Sequence, residues 1–210
     1  MDAPPFRVSA TNLTGGAGGI GNSYTDGDWL RAIRHGVNPD GQGIMIMPSD
    51  VYYALSDEDV GDMIAYIKTL APVDNELPTT VIKLMGRMIA GIDENFGSPA
   101  SLVPEEPRMS MPERGPASEY GKYRSGTYCA ACHGADLSGA QPPDPSSPFA
   151  PGLLPYAAGS LESFTAAVRL GSTPDGRRLD PVYMPWPSLG QMTDQDVEAI
   201  YLYLRTLADH

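Results

Sequence analysis

Hydrophobic and polar residues follow a helical period in several segments of this 210-residue chain. In one segment, Val60, Ile64 and Ile67 fall on the same face of a helix. Serine, threonine or aspartate stands at the start of several such segments, as is typical of helix N-caps. The pattern as a whole predicts a mainly α fold. The predicted helices are Thr25 to Gly36, Ser56 to Leu70, Thr79 to Ile92, 118–132, 160–171 and 193–208.

The order of motifs in the first 70 residues returns in the last part of the chain, which indicates two copies of one domain. The first copy is incomplete, because nothing in it corresponds to residues 118–133. The apolar stripe on its last helix is therefore expected to be partly exposed, or covered by the linker or another subunit. The corresponding pairs are Leu30–Gly41 with Thr165–Gly176, Met47-Pro48 with Met184-Pro185, Ser56–Val60 with Thr193–Val197, and Ala65–Leu70 with Leu202–Leu207.

Prolines are dense between the two copies, and they predict a linker over residues 71–117. The chain is thus divided into a partial domain at 1–70, this linker, and a complete domain at 118–210. The predicted helix from Thr79 to Ile92 lies inside the linker. Two interpretations of it stay open: a helix that packs between the domains, or one that docks on a partner or a membrane surface.

Composition limits the classes of function. The chain has 23 glycines and 21 prolines, which predicts long loops, and its formal net charge is −12. Such an acidic chain is not expected to bind nucleic acid. The charge indicates either simple solubility or a redox protein partner with a basic docking face. Since no run of 18 apolar residues occurs, no membrane span is predicted.

The only two cysteines stand in the segment Cys129-Ala130-Ala131-Cys132-His133. This is the C-x-x-C-H pattern of covalent haem c attachment, in which both thiols bind the porphyrin and the histidine ligates the iron. The second ring nitrogen of His133 is then expected to donate to a backbone carbonyl. A redox disulfide and another metal site remain alternatives. The latter is disfavoured by the small number of histidines, which are three in all.

A second axial ligand is needed opposite His133, and methionine is the usual partner in cytochromes c. Met184 lies in Tyr183-Met184-Pro185-Trp186, after a loop and before a helix, where a rigid turn can present its thioether. Met192 competes for this role, but its position beside the predicted N-cap Thr193 indicates a core residue. The sequence therefore predicts His133 and Met184 as the two metal ligands.

Three further residues are candidates for contact with a haem group. Arg169 is expected either to pair with a haem propionate or to be a solvated charge on a helix. Tyr183 and Trp186 flank Met184 and are expected to pack on the ring or its propionates, although ordinary core packing explains them almost as well. His35 lies in the part of the first copy that corresponds to the segment around Arg169. It is expected at the surface rather than as a ligand.

With these motifs, residues 118–210 resemble a class I cytochrome c domain. Most of the chain outside the linker resembles the tandem dihaem cytochromes c of bacteria. In the first copy the resemblance is carried by Thr11-Asn12-Leu13-Thr14, the Gly-Ile-Gly at 19–21, Tyr24 to Trp29 and Asp57 to Val60. The resemblance implies a cytochrome c fold with one complete haem domain and a partial repeat. It also implies a periplasmic or other extracytoplasmic location. We expect that the chain lacks an N-terminal part, which would carry a second haem, or that its first domain is naturally free of haem.

The expected function is single-electron transfer by one covalent haem c with His/Met ligation, and not catalysis. The protein would act as a soluble carrier or as an electron-transfer subunit of a respiratory or dehydrogenase complex. Two alternatives remain. One is a haem enzyme of peroxidase or thiosulfate-oxidising type, which needs an open iron position. The other is a haem-free docking role for the first domain.

Overall fold

A computed structural model describes residues 2–92, 103, 110–142 and 147–208. The chain forms two compact units, which we call unit 1 (residues 1–108) and unit 2 (residues 109–210). The boundary between them falls inside the proline-rich segment predicted as a linker. Most of the regular structure in the described residues is helical, so the predicted mainly α class is confirmed. None of the described helices is both long and apolar enough to cross a membrane.

Unit 1 has two strands and four helices among its described residues. The strands form an antiparallel pair in which Phe6 lies opposite Ile82 and Arg7 opposite Val81. The elements in chain order are β1 (Phe6–Arg7), α1 (Asp26–His35), α2 (Ser49–Tyr52), α3 (Asp57–Thr69), β2 (Val81–Ile82) and α4 (Leu84–Ala90).

The two main helices of unit 1 begin at the predicted caps. Thr25 caps α1 through a reciprocal capping box with Asp28, and Ser56 accepts a hydrogen bond from the Asp59 N–H at the start of α3. Helix α1 ends at Gly36, which has a left-handed backbone with φ of 61°. The local sequence therefore sets three of the four ends of α1 and α3: two by a hydroxyl cap and one by a glycine backbone.

The apolar stripe of α3 was expected to be partly exposed, or covered by the linker or another subunit, and the structure shows it partly exposed, since Met63 and Ile67 are only half-buried. Val60 and Ile64 are buried within the unit, in one cluster with Trp29 and Ile33 of α1. The indole of Trp29 is the largest side chain of this cluster. Met47, the counterpart of Met184, also packs against this cluster.

The predicted helix from Thr79 to Ile92 is shorter in the structure. It begins at Leu84, because Val81 and Ile82 pair with β1 instead. The Lys83 N–H donates to the carbonyl of Pro5 at 3.0 Å, which ends the strand pairing and starts α4. A long-range backbone pairing thus replaces the first turn that the local sequence favours.

Unit 2 has six helices and one antiparallel strand pair among its described residues. Gly139 lies opposite Pro151, and Ala140 opposite Ala150. The elements are α5 (Ser118–Tyr128), α6 (Ala130–His133), β3 (Gly139–Ala140), β4 (Ala150–Pro151), α7 (Leu154–Ala157), α8 (Leu161–Leu170), α9 (Trp186–Leu189) and α10 (Asp194–Ala208).

The core of unit 2 forms around α10. Val197, Ile200 and Leu204 on one face of this helix pack against Phe164 and Val168 of α8. The opposite side of α10 crosses α5, where Ala199 is buried with two tyrosines of α5. Helix α10 therefore connects the N-terminal and C-terminal halves of the unit.

Candidate functional site

The C-x-x-C-H motif forms a tight turn at the end of α5. Cys129 closes α5 by donating its N–H to the Ser125 carbonyl at 2.8 Å, and the same residue begins α6. The His133 N–H then donates to the Cys129 carbonyl at 2.9 Å. Both thiols are free. The turn thus carries two thiols and an imidazole on five consecutive residues of regular backbone.

The thiol of Cys129 lies against the apolar core. Burial raises its pKa to about 12, and the neighbouring Cys132 thiol adds to the shift. Cys129 is therefore protonated at neutral pH. A buried thiol of raised pKa is less reactive in thiol–disulfide exchange than a free cysteine, so this environment disfavours the redox disulfide.

His133 is held by a carbonyl from a distant segment. Its Nδ1 lies 2.7 Å from the oxygen of Pro151, and because a carbonyl only accepts, Nδ1 carries the proton. In the neutral tautomer that makes this bond, Nε2 is the nitrogen with the lone pair that can bind a metal. The pairing of β3 with β4 brings Pro151 to this position. The predicted hydrogen bond to a backbone carbonyl is present, and it is the arrangement usual for metal-bound histidines.

A buried network anchors α5 to α10. Arg124 Nε donates to the Tyr120 hydroxyl at 2.7 Å and to Asp196 Oδ1 at 3.0 Å, and the Tyr120 hydroxyl donates to the same carboxylate at 2.7 Å. Arg124 Nη1 also lies 3.2 Å from the hydroxyl of Tyr128, the residue before Cys129. The guanidinium carbon is 5.1, 5.8 and 5.3 Å from the ring centres of Tyr120, Tyr123 and Tyr128.

Electrostatics in this network keep Asp196 charged. Burial acts to raise the pKa of Asp196, but hydrogen bonds from Tyr120 and Thr193, together with the Arg124 charge, outweigh it and leave that pKa below its usual value. Burial, with the neighbouring carboxylate, raises the pKa of Tyr120 to about 12. Sequence reasoning missed this network. The i, i+4 spacing of Tyr120, Arg124 and Tyr128 was the available signal, but their partner Asp196 is 72 residues from Arg124.

Met184 lies on a turn that is fixed on both sides. Its N–H donates to the Asp180 carbonyl at 2.9 Å, and its own carbonyl accepts from the Trp186 N–H at 2.7 Å. Pro185 follows as the N-cap of α9. Met184 and Met192 are both half-buried, but of the two Met192 is the one that packs against the main core cluster. These positions favour Met184 over Met192 as a side chain available to a ligand.

Trp186 and Tyr183 have different surroundings. The Trp186 Nε1–H donates to the Leu179 carbonyl at 3.1 Å, and its indole lies against Gly171, where a methyl group would be 2.5 Å from Nε1. The guanidinium of Arg178 covers this ring at 5.0 Å. Tyr183 is 51% exposed. Trp186 therefore supports the turn from Asp180 to Trp186 that carries Met184, which we call the methionine turn. Tyr183 lies on the surface of this turn.

Arg169 is directed to protein acceptors. It donates to the carbonyls of Gly190 at 2.6 Å and Met192 at 3.0 Å, and to Asp194 Oδ1 at 2.7 Å. The sequence left a haem propionate partner and a solvated helix charge open for this residue. In the structure its two Nη nitrogens contact the segment between α9 and α10.

Unit 1 repeats the methionine turn. Pro48 has φ and ψ of −79° and 59°, and Pro185 has −77° and 54°. The Ser49 N–H donates to the Met47 carbonyl at 2.8 Å, as Trp186 does to Met184. His35 is exposed, as expected for a surface residue. Since both cysteines lie in unit 2, the site with thiols, imidazole and thioether is confined to that unit.

The residues of unit 2 fit a covalent haem c. The two thiols are free, the imidazole has a defined tautomer with Nε2 available, and a half-buried thioether stands on a rigid turn. The donor set of one nitrogen and one sulfur is that of an electron-transfer haem.

Comparison with known proteins identifies the class. Residues 118–208 match the family model described as cytochrome c, so this part of the chain is a cytochrome c domain, which carries covalent haem c and transfers electrons. The chain is also 27% identical to the fructose dehydrogenase cytochrome subunit of Gluconobacter japonicus, over 229 aligned positions that cover 99% of this chain and 46% of the relative. The chain thus spans about half the length of the curated relative that it matches.

Proposed function

We propose that this protein transfers single electrons through one haem c, as an electron-transfer subunit of a dehydrogenase complex. Cys129 and Cys132 tether the group, and His133 and Met184 are the axial ligands. The observation that carries the proposal is the hydrogen bond from His133 Nδ1 to Pro151, which orients Nε2 for a metal on the same turn as the two thiols.

A bound haem c supplies an iron that gains and loses one electron. In this proposal Cys129 and Cys132 would hold the porphyrin, and the His133 imidazole and the Met184 thioether would bind its iron. Imidazole and thioether are neutral ligands, and they favour the less charged, reduced iron. The Arg124–Asp196 pair carries no net charge, so it holds the attachment helix against α10 without adding an uncompensated charge near the site.

The proposed partner is a dehydrogenase, because the relative that aligns with nearly the whole chain is a dehydrogenase cytochrome subunit. The net charge of −12 supports docking on a basic surface, since opposite charges speed encounter. The proposed compartment is the periplasm or another extracytoplasmic space, as the cytochrome c resemblance implies.

The ligand assignment is tested by Met184→Ala in the holoprotein, with Met192→Ala as the matched control. We expect Met184→Ala to abolish the sulfur-to-iron charge-transfer band of the oxidised protein and to allow rapid binding of carbon monoxide to the reduced protein. Met192→Ala should retain the band, because Met192 packs in the core. Rapid carbon monoxide binding by the unaltered protein would contradict the electron carrier and favour the haem enzyme.

A further inference from the structure

The segment between Met184 and α10 is tied to the end of α8 by a single guanidinium. Arg169 lies in the last turn of α8, and its two Nη nitrogens reach three acceptors across 25 residues of sequence. Gly190, which ends α9, and Met192, which precedes the cap of α10, accept through their backbone carbonyls. The bonds therefore fix the path of the backbone on both sides of residue 191.

The other end of the methionine turn is tied to the same part of α8. The Leu179 N–H donates to the Gly171 carbonyl at 2.8 Å, and the Leu179 carbonyl accepts from the indole of Trp186. Gly171 directly follows α8 and packs against that indole. Both ends of the segment that carries Met184 are thus attached within three residues of each other, at Arg169 and Gly171.

Unit 1 has the same arrangement in a part of the chain that contains no cysteine. Arg34 in the last turn of α1 donates to the Leu55 carbonyl at 3.1 Å and to Asp57 Oδ1 at 2.6 Å. Leu55 and Asp57 correspond to Met192 and Asp194 in the sequence repeat. Arg34 is 2% exposed. In both units, therefore, the guanidinium contacts the backbone at the corresponding position after the methionine.

We propose that Arg169 is a positioning residue for Met184, which holds the methionine turn closed, rather than the partner of a haem propionate. The inference rests on the proposed function, because it takes Met184 as the axial ligand. Asp194 contributes little to this role, since its side chain is 97% exposed and the ion pair is screened by water. The positioning role therefore depends on the hydrogen bonds from Arg169 to the carbonyls of Gly190 and Met192.

The test uses the holoprotein with Arg169→Lys, which keeps the charge but loses the fork that reaches two carbonyls. Arg34→Lys is the matched control in unit 1, and Asp194→Asn removes only the exposed ion pair. Imidazole is the probe, because it displaces methionine from oxidised iron when the turn opens. Affinity for imidazole, the sulfur-to-iron band, the reduction potential and thermal unfolding are measured on each protein.

We expect Arg169→Lys to bind imidazole at least about tenfold more tightly than the unaltered protein, the factor that 1.4 kcal/mol represents. A hydrogen bond to a charged group contributes about that much. Arg34→Lys and Asp194→Asn should bind imidazole as the unaltered protein does. Arg169→Gln keeps one amide nitrogen as a donor. Its affinity for imidazole should be above that of the two controls and no higher than that of Arg169→Lys.

Three outcomes would overturn the inference. Unchanged imidazole affinity in Arg169→Lys, with the band lost in Met184→Ala, leaves the proposed function intact and removes the positioning role. A shifted reduction potential in Arg169→Lys, with unchanged affinity for imidazole, would show that Arg169 pairs with a haem propionate. Failure of both Arg169 variants to fold, while Arg34→Lys folds, assigns the residue to the stability of the whole unit. Survival of the band in Met184→Ala would instead reject the ligand assignment itself.

Discussion

Gly121 of α5 lies directly against the backbone of Ala199 in α10. A methyl group at Gly121 would be 1.9 Å from the Ala199 carbonyl oxygen, which is less than any real contact allows. The two helices cross at this point because neither residue has a side chain larger than a methyl group. The crossing holds the helix that ends at Cys129, so it also sets the position of the attachment motif.

We expect Gly121→Ala to destabilise unit 2 by about 1–3 kcal/mol, the usual effect of overpacking a close contact. Gly126 offers a matched control in the same helix, because a methyl group there meets no atom within 4 Å. Gly126→Ala should stabilise the helix by about 0.5–1 kcal/mol, since alanine has the higher helix propensity. Urea unfolding of the two variants measures both effects. Equal stabilities would show that α5 and α10 do not cross at Gly121.

The buried Arg124–Asp196 pair predicts a dependence of stability on acid pH. The folded pKa of Asp196 lies below its unfolded value of about 3.9. The pair therefore contributes full stability above that unfolded pKa, and the contribution is lost as pH falls through the folded pKa. We expect Asp196→Asn to lower the free energy of unfolding at pH 7 by about 3–5 kcal/mol, because it leaves Arg124 buried without its counterion.

The control for Asp196 is Asp194→Asn on the exposed side of the same helix, which should change stability at pH 7 by less than about 1 kcal/mol. Unfolding of both variants is followed from pH 7 down to acid. The Asp196→Asn curve should be flatter than that of the unaltered protein between pH about 4 and the acid limit. An unchanged acid slope would mean that Asp196 has an ordinary pKa in the folded protein.

The contact between Gly171 and Trp186 predicts a local effect on the methionine turn. Gly171 and Gly176 both have a left-handed backbone, with φ of 62° and 81°, so alanine at either site costs about 1–2 kcal/mol. Only at Gly171 would the new methyl group also collide with the indole. We expect Gly171→Ala to weaken the sulfur-to-iron band, and Gly176→Ala to retain it. The same band intensity in both variants would contradict a role of this contact in holding Met184.

The parts of the fold that depend on local chemistry were predictable from the sequence. Thr25, Ser56 and Thr193 start helices because their hydroxyls accept from backbone N–H groups three residues ahead. The C-x-x-C-H spacing likewise depends on five consecutive residues. The repeat predicted the two methionine turns, which have nearly the same backbone angles at Pro48 and Pro185.

The parts that depend on distant pairing were not predictable. Val81 and Ile82, near the start of the expected helix, form a strand because they pair with β1, more than 70 positions away. The sequence around Arg169 does not show that its guanidinium donates to two backbone carbonyls some 20 residues further along the chain. His133 was expected to meet a carbonyl, but only the pairing of β3 with β4 identifies that carbonyl as Pro151.

Covalent attachment of one haem by Cys129 and Cys132 is the central claim, and the intact mass of the denatured holoprotein tests it most directly. We predict the mass of the polypeptide plus one porphyrin, with neither thiol free to react with an alkylating reagent. A Cys129→Ala, Cys132→Ala variant expressed in the same way should have the mass of the bare polypeptide and no haem absorption. Two reactive thiols and no added mass in the unaltered, matured protein would contradict the account.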